Sequence, residues 1–507
     1  MSNFIRTSTS VTALTILMTG SAAFADVSSQ EVWDDWKNYL TGFGYTVEGD
    51  ENASSGAVVV KDLTMSMELP DGAGSFSMVM PELSFTDNGD GAVAVAIPPV
   101  MPLMIAMNNP EAENVEMTID YNTVGLNMTV SGDASSMVYD FAADDISVAL
   151  SNMKVDGAEV DLGTAMMSMA DVAGTTSMKV GNLRSTEQSM TSGAVTYTLD
   201  FTNPDDGSRA VMKGQFAGMG YDGKGSLPTV MDTSDMAAML KAGFGFDGGF
   251  SYTGGSSSFS FNDAGEEMQG SSSSDSGKLV VAMDENQLMY EGSATNMQIQ
   301  VAGGEIPFPV ELAMAQSGFK LKMPVSKSDA EQNFAFGITL GDFTMSDMIW
   351  GIFDPTSQLP RDPATIAMDL SGKAKLFFDI LDPTQMEAID SGEMMPGEVN
   401  AVTLNSMTVR AAGAELTGSG DFSFNNADMQ TFPGMPAPDG AVDLKLTGGN
   451  GLLDKLVAMG LLPEEQAMGT RMMMGLFGVL GEGEDSLTSK IEVKPDGQVL
   501  ANGQRVN

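Results

Sequence analysis

Residues 63–80 read LTMSMELPDGAGSFSMVM. Every second side chain is apolar at Leu63, Met65, Met67 and Leu69, and the pattern resumes at Phe76, Met78 and Met80. Successive side chains of a strand leave on opposite faces, so a period of two makes one face apolar and leaves the other to water. The pattern recurs at Val93, Val95 and Ile97, at Val115, Met117, Ile119 and Tyr121, at Leu126, Met128 and Val130, and at Ile146, Val148 and Leu150. Turn chemistry separates such runs: Asp87-Asn88-Gly89-Asp90-Gly91, Asn203-Pro204-Asp205-Asp206-Gly207 and Pro495-Asp496-Gly497 are loops of hairpin type. Strands that follow one another through short turns pair antiparallel. The expected fold is mainly β, one or two curved, mostly antiparallel sheets with a few short capping helices.

The helices expected are short. Ser28 to Leu40 opens with a capping box, Ser28 with Glu31, and places Val32, Trp36 and Tyr39 or Leu40 on one face. Others are expected near Ser234 to Lys241, Ser346 to Phe353 and Pro383 to Ile389, the last with Asp382 as its N-cap. Leu452 to Leu461 and Glu464 to Leu480 read as two amphipathic helices split by Pro463. Their stripes, Leu452, Leu453, Leu456 and Val457 on the first and Met468, Met472, Leu476 and Val479 on the second, are expected to pack on the end of the sheet rather than form a membrane-touching tip. A final hairpin runs from Leu487 to Val506.

The stretch Gly248 to Gly277 is rich in Gly and Ser. Phe250 and Tyr252, then Phe259 and Phe261, alternate within it, which favours exposed strands with a soft loop at 268–277. A weak boundary there divides the chain into residues 26–247 and 248–507, two β-rich halves that are also readable as one continuous unit.

Composition excludes more than it proves. The 507 residues hold 68 acidic and 24 basic groups, with no histidine and no cysteine. The usual neutral-pH proton shuttle, the commonest metal ligand and the most nucleophilic side chain are all missing. A net charge of −44 repels phosphates and anionic headgroups, so nucleic acid is not an expected partner. Arg6, the apolar run Val11 to Met18 and Ala23-Phe24-Ala25 have the three parts of a cleavable secretory signal over residues 1–25, with cleavage before Asp26. That segment is too short for a membrane anchor, and no later one has 18 uninterrupted apolar residues, so no transmembrane segment is expected in the mature chain. A barrel is disfavoured by a 7% aromatic content, thin for two interfacial girdles.

The paired carboxylates Asp34-Asp35, Asp144-Asp145, Glu266-Glu267 and Glu464-Glu465 are what chance gives in so acidic a chain. Within a strand, neighbours point to opposite faces, the wrong geometry for shared acid–base work. The Asp87 to Gly91 loop lacks alternate oxygen ligands, since Gly89 and Gly91 stand where a calcium loop needs them. Ser151-Asn152-Met153-Lys154 has Ser-x-x-Lys spacing without its partner motifs. No catalytic, cofactor-binding or metal-binding residue is assigned, no cofactor is expected, and the protein reads as a non-enzyme.

The 43 methionines include the runs Met166-Met167-Ser168-Met169 and Met472-Met473-Met474. Such flexible, polarisable side chains fill irregular cores and also line surfaces that accept varied apolar partners. Many one-faced strands in a single open sheet would leave an apolar trough for a lipid or another hydrophobe.

Three segments carry a resemblance: Asp354-Pro355-Thr356-Ser357-Gln358-Leu359-Pro360-Arg361-Asp362-Pro363-Ala364-Thr365, the run Leu452 to Met474, and Gly497-Gln498-Val499-Leu500-Ala501-Asn502-Gly503-Gln504. They resemble an uncharacterised family, a domain of unknown function found in alphaproteobacterial exported proteins. The resemblance implies a periplasmic β-rich protein and no established activity. The architecture is also similar, more weakly, to AsmA-like envelope proteins associated with lipid transport, although the N-terminal membrane helix those usually carry is not expected here. The expected function is that of a non-catalytic exported envelope protein, periplasmic or alternatively secreted, binding or sheltering an apolar ligand. The alternative is a structural or protein-interaction module of the periplasm.

Overall fold

A computed structural model of the chain describes residues 26–69, 74–108, 113–161, 163–203, 206–229, 235–263, 265–304, 306–382, 384–385 and 395–506. The expected signal segment lies outside these residues, as do Pro204 and Asp205 of one expected turn and most of the expected helix at 383–389. Helix α1 (Ser29–Gly42) opens the described chain with the capping box Ser28/Glu31 in place. Strands β1 (Thr46–Ser54), β2 (Ala57–Glu68) and β3 (Ser75–Asp87) then form a meander. Pro98 and Pro99 cannot donate to a ladder, and there the chain breaks into β4 (Val93–Ala96) and β5 (Val100–Asn108), which lie end to end along β3. Strands β6 (Val115–Val124) and β7 (Asn127–Asp133) pair with β5 and β4 respectively, and β8 (Ser136–Val155) spans both.

After the two-residue β9 (Ala158–Glu159) the same excursion repeats. Strand β10 (Gly163–Val180) is flanked end to end by β11 (Leu183–Ser192) and β12 (Val195–Thr202). Strands β13 (Arg209–Phe216) and β14 (Gly218–Pro228) follow, then the short helix α2 (Met236–Lys241), and β15 (Gly245–Asp263) spans the pair. From here the chain is a plain antiparallel meander: β16 (Glu266–Asp284), β17 (Gln287–Gly303), β18 (Ile306–Met323), β19 (Gln332–Met345), helix α3 (Asp347–Phe353), β20 (Ala364–Leu376), β21 (Gly397–Ala411), β22 (Ala414–Asn425) and β23 (Ala437–Thr447). Helices α4 (Gly449–Ala458) and α5 (Glu464–Phe477) lead to β24 (Val479–Leu480), β25 (Ser486–Val493), β26 (Val499–Ala501) and β27 (Gln504–Arg505). Strand β25 adds to β23, so all 27 described strands belong to one mainly β, antiparallel sheet.

Residue 248 falls inside β15, and sheet pairing runs through it without a break. The soft loop expected at 268–277 is instead the middle of β16. Its serines are paired rather than loose: Ser257 Oγ and Ser272 Oγ lie 2.8 Å apart, as do Tyr252 OH and Ser274 Oγ. Local Gly and Ser content lowers strand propensity, but two long neighbours supply the ladder that overrides it.

A crease crosses this sheet. Asp62, Asp171, Asn296 and Asp342 sit mid-strand with φ of 49°, 50°, 49° and 52°, and Gly254 with φ of 57°. Side chains three apart in an ordinary strand point to opposite faces. Here Val60 and Leu63, on either side of Asp62, are both buried in one cluster, and Met169 and Val172 flank Asp171 in another. Across Gly254, a Cβ on Gly255 would meet the Tyr252 ring at 2.7 Å. One left-handed residue thus resets the alternation, so both arms of a strand turn their apolar side chains inward and the sheet folds into a trough. Asp and Asn tolerate this conformation because their short polar side chains bond locally. Asn296 Nδ2 donates to Asp275 Oδ2 at 2.7 Å. Asn296→Val is expected to cost about 1–2 kcal/mol, from forcing a β-branched residue into the left-handed region. Asn296→Gly should recover most of that. Urea midpoints of the two variants check it, and equal midpoints would remove the crease as a conformational constraint.

Candidate functional site

The candidate site is the inner face of the trough. Directly paired residues share a face, so the register can be followed across the sheet from one strand to the next. Starting on β2, one such line passes through Val58, Phe85, Val95, Met128, Phe141 and Gly174. It continues through Met190, Tyr221, Phe250, Leu279, Gly292 and Phe319. It ends through Ile338, Met368, Met407, Gly418, Leu444 and Ser489 on β25. No charged residue lies on it. Setting strand ends aside, Arg184 is the sole charged side chain that the register places on this face from β2 to β25 among the described residues. The charges go to the outer face, at Lys278, Glu291, Lys320, Lys322 and Asp369 for example.

Glycine keeps the floor low. Phe141, Tyr197, Tyr252, Phe259, Phe319 and Phe334 each face a glycine directly across the ladder: Gly174, Gly214, Gly277, Gly270, Gly292 and Gly372. A Cβ on any of these glycines would stand less than 3.0 Å from the opposing ring. The rings therefore lie over the neighbouring backbone and offer their faces to the trough, where standing rings would fill it. The face stays accessible: Phe250, Phe319 and Ile366 are 50%, 49% and 49% exposed, and no second sheet packs over it among the described residues.

One end is covered. Helix α1 lies on the inner face against β1 to β4, burying Val32 and Trp33 among Val58, Val60, Leu83, Phe85 and Val130. Trp33 is the deepest aromatic of the helix, where sequence periodicity favours Trp36 and Tyr39; Trp36 packs at the margin, 5.3 Å from the Phe85 ring, and Tyr39 is exposed. Polar contacts lock the helix in place. Asp87 Oδ1 accepts from Ser29 N at 2.7 Å, and Arg184 donates through both terminal nitrogens to Asp35, each at 2.7 Å. The same guanidinium lies 4.6 Å from the Tyr39 ring centroid. Burial first, and then the Asp35 carboxylate, push the Tyr139 phenol far above its ordinary pKa, so it stays protonated and donates to Asp35 at 3.5 Å. The one inner-face charge is thus consumed in holding α1. A cleft of about 390 Å³ beside Arg184, Tyr39, Phe43 and Leu227 marks where the helix ends and the open face begins.

The other sequence candidates do not converge. Asp34 accepts from Gln30, and Asp35 binds Arg184. Asp145 accepts from Ser168 at 2.8 Å, whereas Asp144 lies against Gly125. Glu267 accepts from Asn262 at 3.3 Å, next to the exposed Glu266 at the start of β16. Glu464 and Glu465 occupy the exposed first turn of α5. Ser151 donates to the Thr118 carbonyl at 3.2 Å, and Lys154 lies 3.9 Å from Glu116. The Asp87 to Gly91 loop is a turn closed by Asn88 N donating to Ala92 O at 2.8 Å, with both glycines at positive φ. Among the described residues no three acidic side chains gather to hold a metal ion.

Residues 215–506 match the family described as an uncharacterized protein conserved in bacteria (DUF2125). The chain belongs to this family. Neither the curated proteins nor the solved structures yield a match. The DUF2125 match takes in the end of β13, all of β14 and the whole meander from β15 onward, with the crease from Gly254 to Asp342 and helices α2 to α5. Helix α1 and the first excursion lie outside it.

The expected packing of the α4 and α5 stripes is corrected here. The α4 residues Leu452, Leu453, Leu456 and Val457 are half-buried, but on α5 Met468, Met472 and Leu476 are 58%, 72% and 57% exposed. Only Ala467 of α5 is buried. The two helices touch each other and reach the sheet at β22 and β25, and this leaves most of the α5 stripe in water.

Proposed function

We propose that this DUF2125 protein is a non-catalytic envelope protein that binds or shelters acyl-chain lipid or a comparable hydrophobe along the inner face of its trough. The observation that carries this reading is a single-layer sheet whose apolar inner face holds one charge away from strand ends, Arg184, and whose middle no second sheet covers among the described residues. An apolar sheet face is stable in water when another layer buries it, and here a ligand takes the place of that layer. At about 4.8 Å per strand, the face from β2 to β25 is on the order of 80 Å long. One leaflet of a bilayer is roughly 15 Å of hydrocarbon, half the usual core, so several chains fit in file. The signal-like residues 1–25 support export to the periplasm, with secretion as the alternative. The weaker architectural likeness to AsmA-like envelope proteins supports lipid by analogy of fold alone. A protein-interaction module would use the same open face with a protein partner in place of lipid.

Native mass spectrometry of protein purified without detergent, followed by organic extraction, tests this. The expected result is two or more lipid-sized mass increments that extraction removes. Protein that emerges bare, from cells and after incubation with lipid, overturns the reading.

A further inference from the structure

The two ends of the trough differ, and the difference gives it a direction. At the β1 end, α1 fills the inner face with Trp33 and is fastened by Asp87 and Arg184. At the other end the inner face continues onto helices. The register carries Leu446 to Leu487 and on to Leu480, which is 90% exposed. Helix α4 starts directly over this corner: a Cβ on Gly449 would meet Leu446 Cδ2 at 2.7 Å. The hairpin base is firmly held. Asp485 accepts from the backbone N–H groups of Asn450 and Gly451 at 3.1 and 2.8 Å, Arg471 pairs with Asp454, and the Phe477 carbonyl accepts from Ser489 and Asn502. Yet Met468, Met472, Met473 and Leu476 are exposed on that fixed base, and α5 runs directly on to Leu480. A rigid mount carrying flexible apolar side chains suits insertion into a soft apolar phase, where methionine adapts to irregular packing.

Charge selects which phase. Lys455 and Arg471 are outnumbered by Asp454, Glu464, Glu465, Glu482, Glu484 and Asp485. An anionic surface would repel this tip, and a zwitterionic one would not. We propose that the α4–α5 hairpin seats on a zwitterionic lipid surface and is the mouth through which acyl chains enter the trough, whose other end α1 closes. This rests on the trough reading above.

The test is flotation of the full mature chain with pure phosphatidylcholine vesicles, alongside uptake of a pyrene-labelled fatty acid delivered either from those vesicles or from detergent. The expected results are flotation of the unaltered protein, a several-fold loss when phosphatidylglycerol is added at low salt, and at least a tenfold loss for Met472→Glu combined with Leu476→Glu. Both positions are exposed, so the variant should melt with the unaltered protein; a Met472→Leu control should float normally. The variant should still take up the probe from detergent while losing uptake from vesicles. Failure of the unaltered protein to float, or flotation of the variant, overturns the tip while leaving the trough standing if detergent uptake persists. Flotation without uptake by either route overturns the trough and keeps the tip as a membrane contact. A concentration-dependent dimer in sedimentation velocity that the same substitutions abolish assigns the patch to a second copy of the chain and overturns the membrane assignment.

Discussion

Phe319→Asp combined with Leu321→Asp is expected to empty the trough without unfolding the protein. These inner-face residues of β18 are 49% and 39% exposed, so in the unliganded protein the new carboxylates reach water and keep their charge. Their neighbours across the ladder are Gly292 and Tyr290 on one side and Ile338 and Phe336 on the other, none of which carries a positive charge to form an ion pair with a carboxylate. A bound acyl chain would have to cover two unpaired charges, at several kcal/mol for each ion that is fully desolvated. At 1.4 kcal/mol for each tenfold change, bound lipid should fall by about 100-fold or more. Melting temperature should move by only a few degrees. Lipid retained at the unaltered level in native mass spectra would show that this face does not hold the ligand. The matching outer-face pair, Lys320→Asp with Lys322→Asp, should change nothing in lipid content.

Arg184→Ala should release α1 while leaving the sheet folded. Arg184 and Asp35 have side chains 17% and 9% exposed, and their fork-to-fork contact ties the helix to β11, 149 residues away in sequence. Removing one partner of a buried pair leaves an uncompensated charge and costs about 3–5 kcal/mol. Trp33→Ala should cost a similar ~3–5 kcal/mol through lost burial and the cavity it leaves beside Phe85. Because strands of this sheet contact their ladder neighbours and little else, the loss should be local, in the way repeat proteins lose one unit. Hydrogen exchange should therefore show amides 32–42 unprotected while those of β16 to β19 remain slow, with a rise in dye binding as Val58, Val60 and Phe85 become exposed. Uniform loss of protection along the sheet would instead make α1 part of a single cooperative core. Arg184→Met with Asp35→Leu should restore most of the helix protection, since two apolar groups need no partner.

Much of this architecture is legible in local sequence. The alternation at Leu63, Met65 and Met67 and at Val115, Met117 and Ile119 specifies strands, and Asp87-Asn88-Gly89 marks the turn that follows β3. The Ser28/Glu31 capping box specifies the start of α1, because a cap is a contact three residues long. An apolar trough is legible as well, since a period of two fixes one greasy face wherever the strand is placed. The crease escapes a reading by periodicity alone, although its signal is present: Val58 and Val60 are even-numbered, Leu63 and Met65 odd-numbered, and the phase changes at an aspartate. The Gly-Ser stretch at 268–277 reads as a loop yet forms a strand, because propensity is local while a ladder is not.

The sequence by itself determined the strand periodicity, the turns, the first helix cap and the segregation of charge from one face, all of which depend on residues within a few positions of each other. Only the tertiary structure decided that both arms of the creased strands face inward, because that turns on a single backbone dihedral at Asp62, Asp171, Gly254, Asn296 or Asp342. It alone paired Phe319 with Gly292 and Phe334 with Gly372, laying the rings down, since register is set by a partner strand. It alone brought Arg184 to Asp35, and left Met472 and Leu476 in water where their amphipathic stripe predicts burial. An amphipathic stripe states that a side chain prefers burial; whether a surface stands opposite to accept it depends on where distant strands have placed the backbone.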